Sequence, residues 1–125
     1  MAQKMLHTCL RVQDLEKSIK FYQETFGFKE TRRKEFPEHK FTICYLSFDD
    51  DDYELELTYN YDHGPYIIGD GFAHIAISAD DLEKTHQKHI DLGYEARMWV
   101  RSCRDWGELA LPASTSSTRS GAGIL

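Results

Sequence analysis

The sequence predicts an α+β fold made of two βαβββ modules, from an internal repeat and from two hydrophobic periodicities. The tetrapeptide Asp-Leu-Glu-Lys stands at residues 14–17 and again at residues 81–84. A histidine precedes each copy by seven residues, at His7 and at His74, so each half carries one potential metal ligand at an equivalent place. Alternating and helical patterns surround both copies in the same order.

The first half reads β-α-β-β-β. Residues 6–12 alternate as a half-buried strand does, with His7 and Arg11 on one face. Asp14 suits a helix N-cap, apolar residues then recur at helical spacing, and Gly27 ends the helix. Three more strands are predicted at residues 28–33, 41–48 and 53–59. The acidic run 49–52 lacks the spaced ligands of a calcium loop, so we expect an exposed hairpin turn there.

The second half begins in the same way and then departs. Residues 72–78 alternate as a strand, and a second helix runs from its cap at Asp81 to about Leu92. Residues 94–101 form a candidate next strand. From about residue 98 the repeat is lost, and the segment 113–123 is rich in Ser, Thr and Gly, a composition that does not build a core strand.

We therefore expect a single domain over residues 1–125, with module one at about 5–60 and module two at about 72–125. The second module is expected to be incomplete, because the two further strands that the repeat predicts are missing from the segment 113–123. Two hypotheses explain its end: a natural divergent tail, or a change of reading frame in the gene.

Composition excludes some classes of function. A net charge of −6 argues against nucleic-acid binding. No apolar stretch approaches the length of a membrane span or of a signal-peptide core, which predicts a cytoplasmic protein. Three cysteines at unrelated spacings indicate reduced thiols rather than a disulfide framework: Cys9, Cys44 and Cys103.

One predicted strand carries two carboxylates that could bind a metal together with the two histidines. Alternation over residues 53–60 puts Glu54 and Glu56 on the polar face, where Glu56 can lie beside His7. Two imidazoles and a carboxylate suit a divalent transition metal such as Zn, Ni, Co or Fe. Glu54 shares that face, and the pattern alone leaves the choice between the two glutamates open. The remaining histidines are expected to be solvated surface residues: His39, His63, His86 and His89.

Several segments, taken in this order, resemble a known family. They read Met-Leu-His-Thr at 5–8, Ser-Ile-Lys-Phe-Tyr at 18–22, Leu-Glu-Leu-Thr-Tyr-Asn at 55–60 and Gly-Phe-Ala-His-Ile-Ala at 71–76. Over about residues 5–95 the chain is similar to glyoxalase I, the lactoylglutathione lyase of the vicinal oxygen chelate superfamily.

The resemblance implies a metal bound by His7, Glu56, His74 and a glutamate late in the second module. It also implies that Arg11 and Asn60 hold the glutathione part of the substrate. Histidine at the first ligand position is typical of nickel- or cobalt-activated members, with zinc possible. Because family sites form between halves of different subunits, the resemblance implies a homodimer.

The implied reaction converts the hemithioacetal of methylglyoxal and glutathione to S-lactoylglutathione, with Glu56 as the candidate base. By analogy with the interval from His7 to Glu56, the fourth ligand should lie near residues 122–123. No acidic residue follows Glu108, so the chain carries three of the four ligands. The alternatives are a metal-free small-molecule binding or resistance protein of the same fold, or another vicinal-oxygen-chelate enzyme.

Overall fold

The computed structural model describes residues 2–94 and 108–110, which fall into two compact units divided after Ile67. The first unit contains β1 (His7–Arg11), α1 (Leu15–Phe26), β2 (Lys29–Phe36), β3 (Phe41–Ser47) and β4 (Glu54–Asn60). The second contains β5 (Ala76–Ser78), α2 (Leu82–Asp91) and β6 (Glu108–Ala110). The β-α-β-β-β order predicted for the first half is confirmed. Neither helix in the described part of the chain has the length and apolar character needed to span a bilayer.

The repeated tetrapeptide forms the same helix N-cap twice. Asp14 and Asp81 have identical backbone angles, φ −132° and ψ 100°. The Asp14 carboxylate accepts from the N–H of Lys17 at 3.1 Å, and the Asp81 carboxylate accepts from that of Lys84 at 3.0 Å. Each cap satisfies one of the backbone donors that a helix leaves unpaired in its first turn. Gly27 ends α1 with a left-handed φ of 74°, as predicted.

The first unit is a four-stranded sheet in the order β1-β4-β3-β2, with β1 parallel to β4 and the other neighbours antiparallel. One face of the sheet and the apolar side of α1 form the core. The core includes Leu15, Ile19 and Tyr22 from the helix, and Cys44, Leu46, Leu55 and Leu57 from the strands. Burial of alternate strand residues leaves the intervening side chains on the opposite face.

The strand bounds agree with the sequence except at β2. The predicted strand ended at residue 33, whereas β2 continues to Phe36 because it pairs with β3 as far as Phe41. This extension begins with two charged residues and gives no alternating hydrophobic pattern, but its backbone hydrogen bonds come from the neighbouring strand. The acidic turn is exposed as expected, with ion pairs from Lys29 to Asp49 and from Lys4 to Asp52.

Two predictions for the second half are wrong. The strand expected over 72–78 is only Ala76–Ser78, and a short strand that was not predicted, Glu108–Ala110, pairs antiparallel with it. His89 is 0% exposed rather than solvated, because it lies on the inner side of α2. The helix itself is confirmed, ending next to Leu92. Tyr94 is not in a strand; residues 95–101 and the segment 113–123 lie outside the described residues.

Candidate active site

The face of the sheet opposite α1 carries the predicted site residues of the first unit. In the parallel pairing of β1 with β4, Cys9 lies beside Glu56 and Arg11 beside Thr58; in β3, Tyr45 lies beside Glu56. Register partners on neighbouring strands point to the same side of a sheet. We call this the polar face, and it includes His7, Cys9, Arg11, Arg32, Tyr45, Glu54, Glu56, Thr58 and Asn60.

His7 and Glu56 are in direct contact at the centre of this face. Nε2 of His7 lies 3.2 Å from Oε2 of Glu56, and the Glu56 residue is 8% exposed. The Thr58 hydroxyl donates to the other carboxylate oxygen at 3.1 Å and lies 3.2 Å from Sγ of Cys9. Burial raises the pKa of the Cys9 thiol, and the nearby Glu56 charge adds to this effect. The raised pKa favours the protonated thiol at neutral pH.

The neighbouring carboxylate, Glu54, is held by other groups. Nη2 of Arg32 lies 2.9 Å from Oε1 of Glu54, and the Thr31 hydroxyl donates to Oε2 at 2.7 Å. Both oxygens of Glu54 are thus engaged on the side facing β2. Of the two glutamates that the pattern could not separate, Glu56 is the one in contact with His7.

Tyr45 contacts both His7 and Arg32, and the sequence pattern did not identify it as a site residue. Its ring meets the imidazole of His7 edge-on, with centroids 5.7 Å apart at 83°. The guanidinium carbon of Arg32 lies 4.0 Å from the centroid of the Tyr45 ring. Burial raises the pKa of the Tyr45 phenol, and the Glu56 carboxylate beside it adds to the shift. Alternation along β3 puts Tyr45 on one face of its strand. That position indicates a site residue only when the pairing of β3 with β4 is known.

The spacing of the His7 and Glu56 donors fits a divalent metal. Such ions bind imidazole nitrogen and carboxylate oxygen at about 2.1 Å. Two donors at that distance are about 3.0 Å apart at right angles and about 3.4 Å apart in a tetrahedron. The observed 3.2 Å between Nε2 and Oε2 lies between these values. The pair has the chemistry and the separation of adjacent ligands to one ion.

The other predicted ligand, His74, lies in the second unit. It lies two residues before the start of β5, and it is exposed. Within residues 2–67, no third His, Cys, Asp or Glu side chain joins His7 and Glu56 to make a group of three that could hold a metal.

Arg11 and Asn60 lie at one end of the polar face. Arg11 is the register partner of Thr58, and Asn60 is two residues further along β4 on the same side. The spacing of strands and residues puts the two Cα atoms about 8 Å apart. Among the described residues, no carboxylate forms an ion pair with Arg11. The Asn60 amide donates to the Tyr66 hydroxyl at 2.9 Å.

Comparison with known proteins identifies the family of this fold. Residues 4–99 match the Glyoxalase/Bleomycin resistance protein/Dioxygenase superfamily, and the chain belongs to it. A trypanothione-dependent glyoxalase I from Leishmania major superposes with a TM-score of 0.74 at 31% identity, over 89% of this chain and 86% of that one. Glyoxalase I from Zea mays gives a TM-score of 0.65 at 38% identity, over 75% of this chain and 36% of that one.

Curated relatives with this sequence similarity include lactoylglutathione lyases. The chain is 46% identical over 80 residues to the enzyme of Neisseria meningitidis serogroup A, and the matched segment covers 62% of this chain and 58% of the relative. It is 45% identical over 87 residues to the enzyme of Oryza sativa, which covers 68% of this chain and 30% of the relative. The chain thus spans less than two thirds of the length of either.

Proposed function

We propose that the protein is a lactoylglutathione lyase that isomerises the hemithioacetal of methylglyoxal and glutathione to S-lactoylglutathione. The observation that carries the proposal is the contact between His7 and Glu56 on the polar face, in a chain 46% identical to an enzyme of that name. The contact fits adjacent ligands to one ion, and the relative supplies the reaction class.

We propose His7, Glu56 and His74 as the residues that would hold a divalent metal, with nickel or cobalt favoured and zinc possible. When bound, such an ion stabilises the negative charge that develops on the two vicinal oxygens of the substrate.

Glu56 is proposed as the base. One carboxylate oxygen accepts the proton from the substrate carbon that carries sulfur and hydroxyl, and the same proton is returned to the adjacent carbonyl carbon. The hydroxyl proton moves to the oxygen of that adjacent carbon, so the first carbon becomes the thioester carbonyl and the second becomes an alcohol. The product is a thioester with the same atoms as the substrate, so the reaction needs no oxidant or reductant. The hydrogen bond from Thr58 and the contact with His7 hold the carboxylate in place for this transfer. Arg11 and Asn60 bind the glutathione part of the substrate through charge and amide donors.

We further propose that residues 1–125 form one domain of two modules, about 5–60 and 72–125, and that the protein acts as a cytoplasmic homodimer. Sharing a site between halves of different subunits would place the ligands of the two modules around one ion.

The test is reconstitution of metal-free protein with nickel, cobalt and zinc in turn. Bound metal is measured by elemental analysis, and thioester formation from methylglyoxal with either glutathione or trypanothione is followed by absorbance. The proposal expects metal uptake close to one ion per chain, together with thioester from glutathione. Metal uptake without thioester would instead indicate another enzyme of the superfamily. Failure to take up metal would indicate a small-molecule binding protein.

A further inference from the structure

The loop after β4 folds back onto the end of the polar face. Asp62 adopts a left-handed φ of 56°, which turns the chain, and the loop then returns its Tyr66 hydroxyl to within 2.9 Å of Nδ2 of Asn60. The ring of His63 stacks on that of Tyr66, with centroids 4.2 Å apart and 14° between planes. Nδ1 of His63 is itself 2.7 Å from the carbonyl oxygen of Gly64. The position of Tyr66 is therefore fixed from two sides.

Hydrogen-bond capacity shows what this arrangement leaves available. The Asn60 amide uses one N–H on Tyr66 and keeps a second N–H. The Tyr66 hydroxyl accepts that bond through an oxygen lone pair, so its own hydrogen is free to be donated. Two neutral donors thus lie side by side, and fixing them in advance lowers the entropy cost of binding a ligand.

The position of these donors matches the length of a peptide conjugate. Arg11 lies on the neighbouring strand, about 8 Å from Asn60 between Cα atoms, and adds a positive charge. Asn60 is four positions along β4 from Glu56, which puts their Cα atoms about 13 Å apart. An extended chain covers roughly 3.3 to 3.6 Å per residue, so the one to two residue lengths between the central cysteine of glutathione and either of its carboxylates span about 4 to 7 Å. The cysteine side chain and the side chains of Glu56, Asn60 and Tyr66 supply the remaining reach between a thiol beside Glu56 and a carboxylate at this end.

We infer that Tyr66, held by Asn60 and His63, is a specificity-determining residue whose hydroxyl donates a hydrogen bond to a carboxylate of the glutathione portion. This inference rests on the proposed function, because it names a further contact to the same substrate. The carboxylate would accept from Tyr66 and from the second N–H of Asn60, with Arg11 compensating its charge. Hydrogen bonds to a charged acceptor are stronger than neutral ones and depend on the ligand carrying that charge.

The experiment measures binding of S-methylglutathione to the full chain by calorimetry, for wild type, Tyr66→Phe and the control Tyr59→Phe. Phenylalanine keeps the ring that stacks on His63 and removes only the hydroxyl. Tyr59 lies on β4 beside Asn60, but its side chain is on the opposite face of the sheet. Its hydroxyl should therefore not contribute to binding of the ligand. We expect Tyr66→Phe to raise the dissociation constant about tenfold. Tyr59→Phe should leave it unchanged, and thermal unfolding should show both variants folded.

A second series separates direct recognition from a structural role. Two analogues of S-methylglutathione, amidated at the γ-glutamyl or at the glycyl carboxylate, are titrated into wild type and Tyr66→Phe. The increase in dissociation constant caused by Tyr66→Phe should disappear for the analogue that lacks the recognised carboxylate and should persist for the other analogue. An equal penalty for all three ligands would mean that Tyr66 only braces the loop, which overturns the inference. Unchanged affinity of the variant overturns it as well and leaves the proposed function standing. If wild type does not bind S-methylglutathione, the proposed function fails and the inference fails with it.

Discussion

Exchanging each of two neighbouring carboxylates for its amide should produce opposite effects. Glu54 and Glu56 share β4 and the polar face, and glutamine preserves the shape of either side chain. Only Glu56 contacts His7, whereas Glu54 is bound by Arg32 and Thr31. We expect Glu56→Gln to remove metal binding with little loss of stability. Glu54→Gln should lower stability and leave metal binding intact.

The magnitudes follow from the contacts. The Glu54 side chain is 20% exposed and that of Arg32 is 60% exposed, so their ion pair is partly screened by water. Losing its charge, together with weakening of the bond from Thr31, should cost about 1 kcal/mol of unfolding free energy. Substitution of a residue that hydrogen-bonds to a metal ligand lowers the affinity for the metal about 10- to 100-fold. Loss of a direct ligand should therefore lower the affinity about 100-fold or more, which corresponds to at least about 2.8 kcal/mol. In Glu56→Gln the amide oxygen still accepts from Thr58 and a buried charge is removed, so its effect on stability should be smaller than that of Glu54→Gln.

Two measurements test this prediction. Urea unfolding in the presence of a chelator gives the stability of the metal-free proteins, and equilibrium dialysis against nickel gives the affinity. Thioester formation is measured on the same samples, and its rate should fall at least 100-fold in Glu56→Gln alone. Loss of metal in Glu54→Gln, with retention in Glu56→Gln, would refute the assignment of the two carboxylates.

Four further substitutions test the helix caps, an ion pair and the substrate contact. Asp14→Ala should lower the unfolding free energy by about 1 kcal/mol through loss of the cap, and Asp81→Ala should lower the helix content of α2, both measurable by circular dichroism during denaturation. The hydrogen bond from Arg33 lowers the pKa of Glu30, so its stabilising effect is present above the ordinary value of 4.5 and is lost as pH falls through the lowered pKa. Unfolding of wild type and Glu30→Gln should therefore differ at neutral pH and converge in acid. Arg11→Ala should raise KM about tenfold with metal content unchanged; an unaltered KM would exclude Arg11 from substrate binding.

The polar faces that carry the candidate site could be predicted from the sequence because they depend on local periodicity, whereas the choice of Glu56 over Glu54 came from the family resemblance. Alternation assigned His7 and Glu56 to polar faces of their own strands, and the apolar residues between them fixed which face enters the core. The helix caps were predictable for the same reason, since Asp14 and Asp81 act on donors three residues away.

Residues that depend on pairing between strands could not be predicted in this way. Tyr45 is one of several aromatic residues in the chain, and its contact with His7 exists only because β3 pairs with β4 in one register. The end of β2 and the whole of β6 are likewise set by a partner strand, since their own residues carry no strong strand pattern. The return of Tyr66 to Asn60 depends on the conformation of a loop, which hydrophobic periodicity does not encode.

The core of the first unit also explains why Glu56 is suited to bind a cation. Leu55 and Leu57 are buried beneath α1, so the strand must place Glu56 on the opposite face, where it is still only 8% exposed. A carboxylate removed from water to this extent loses solvation, and its contacts with Thr58 and His7 offset that loss. Under the proposed function, a divalent ion held by this carboxylate and the imidazole would form direct bonds to both. Because such bonds exist only in the folded chain, ion binding should raise the free energy of unfolding in proportion to the logarithm of metal concentration.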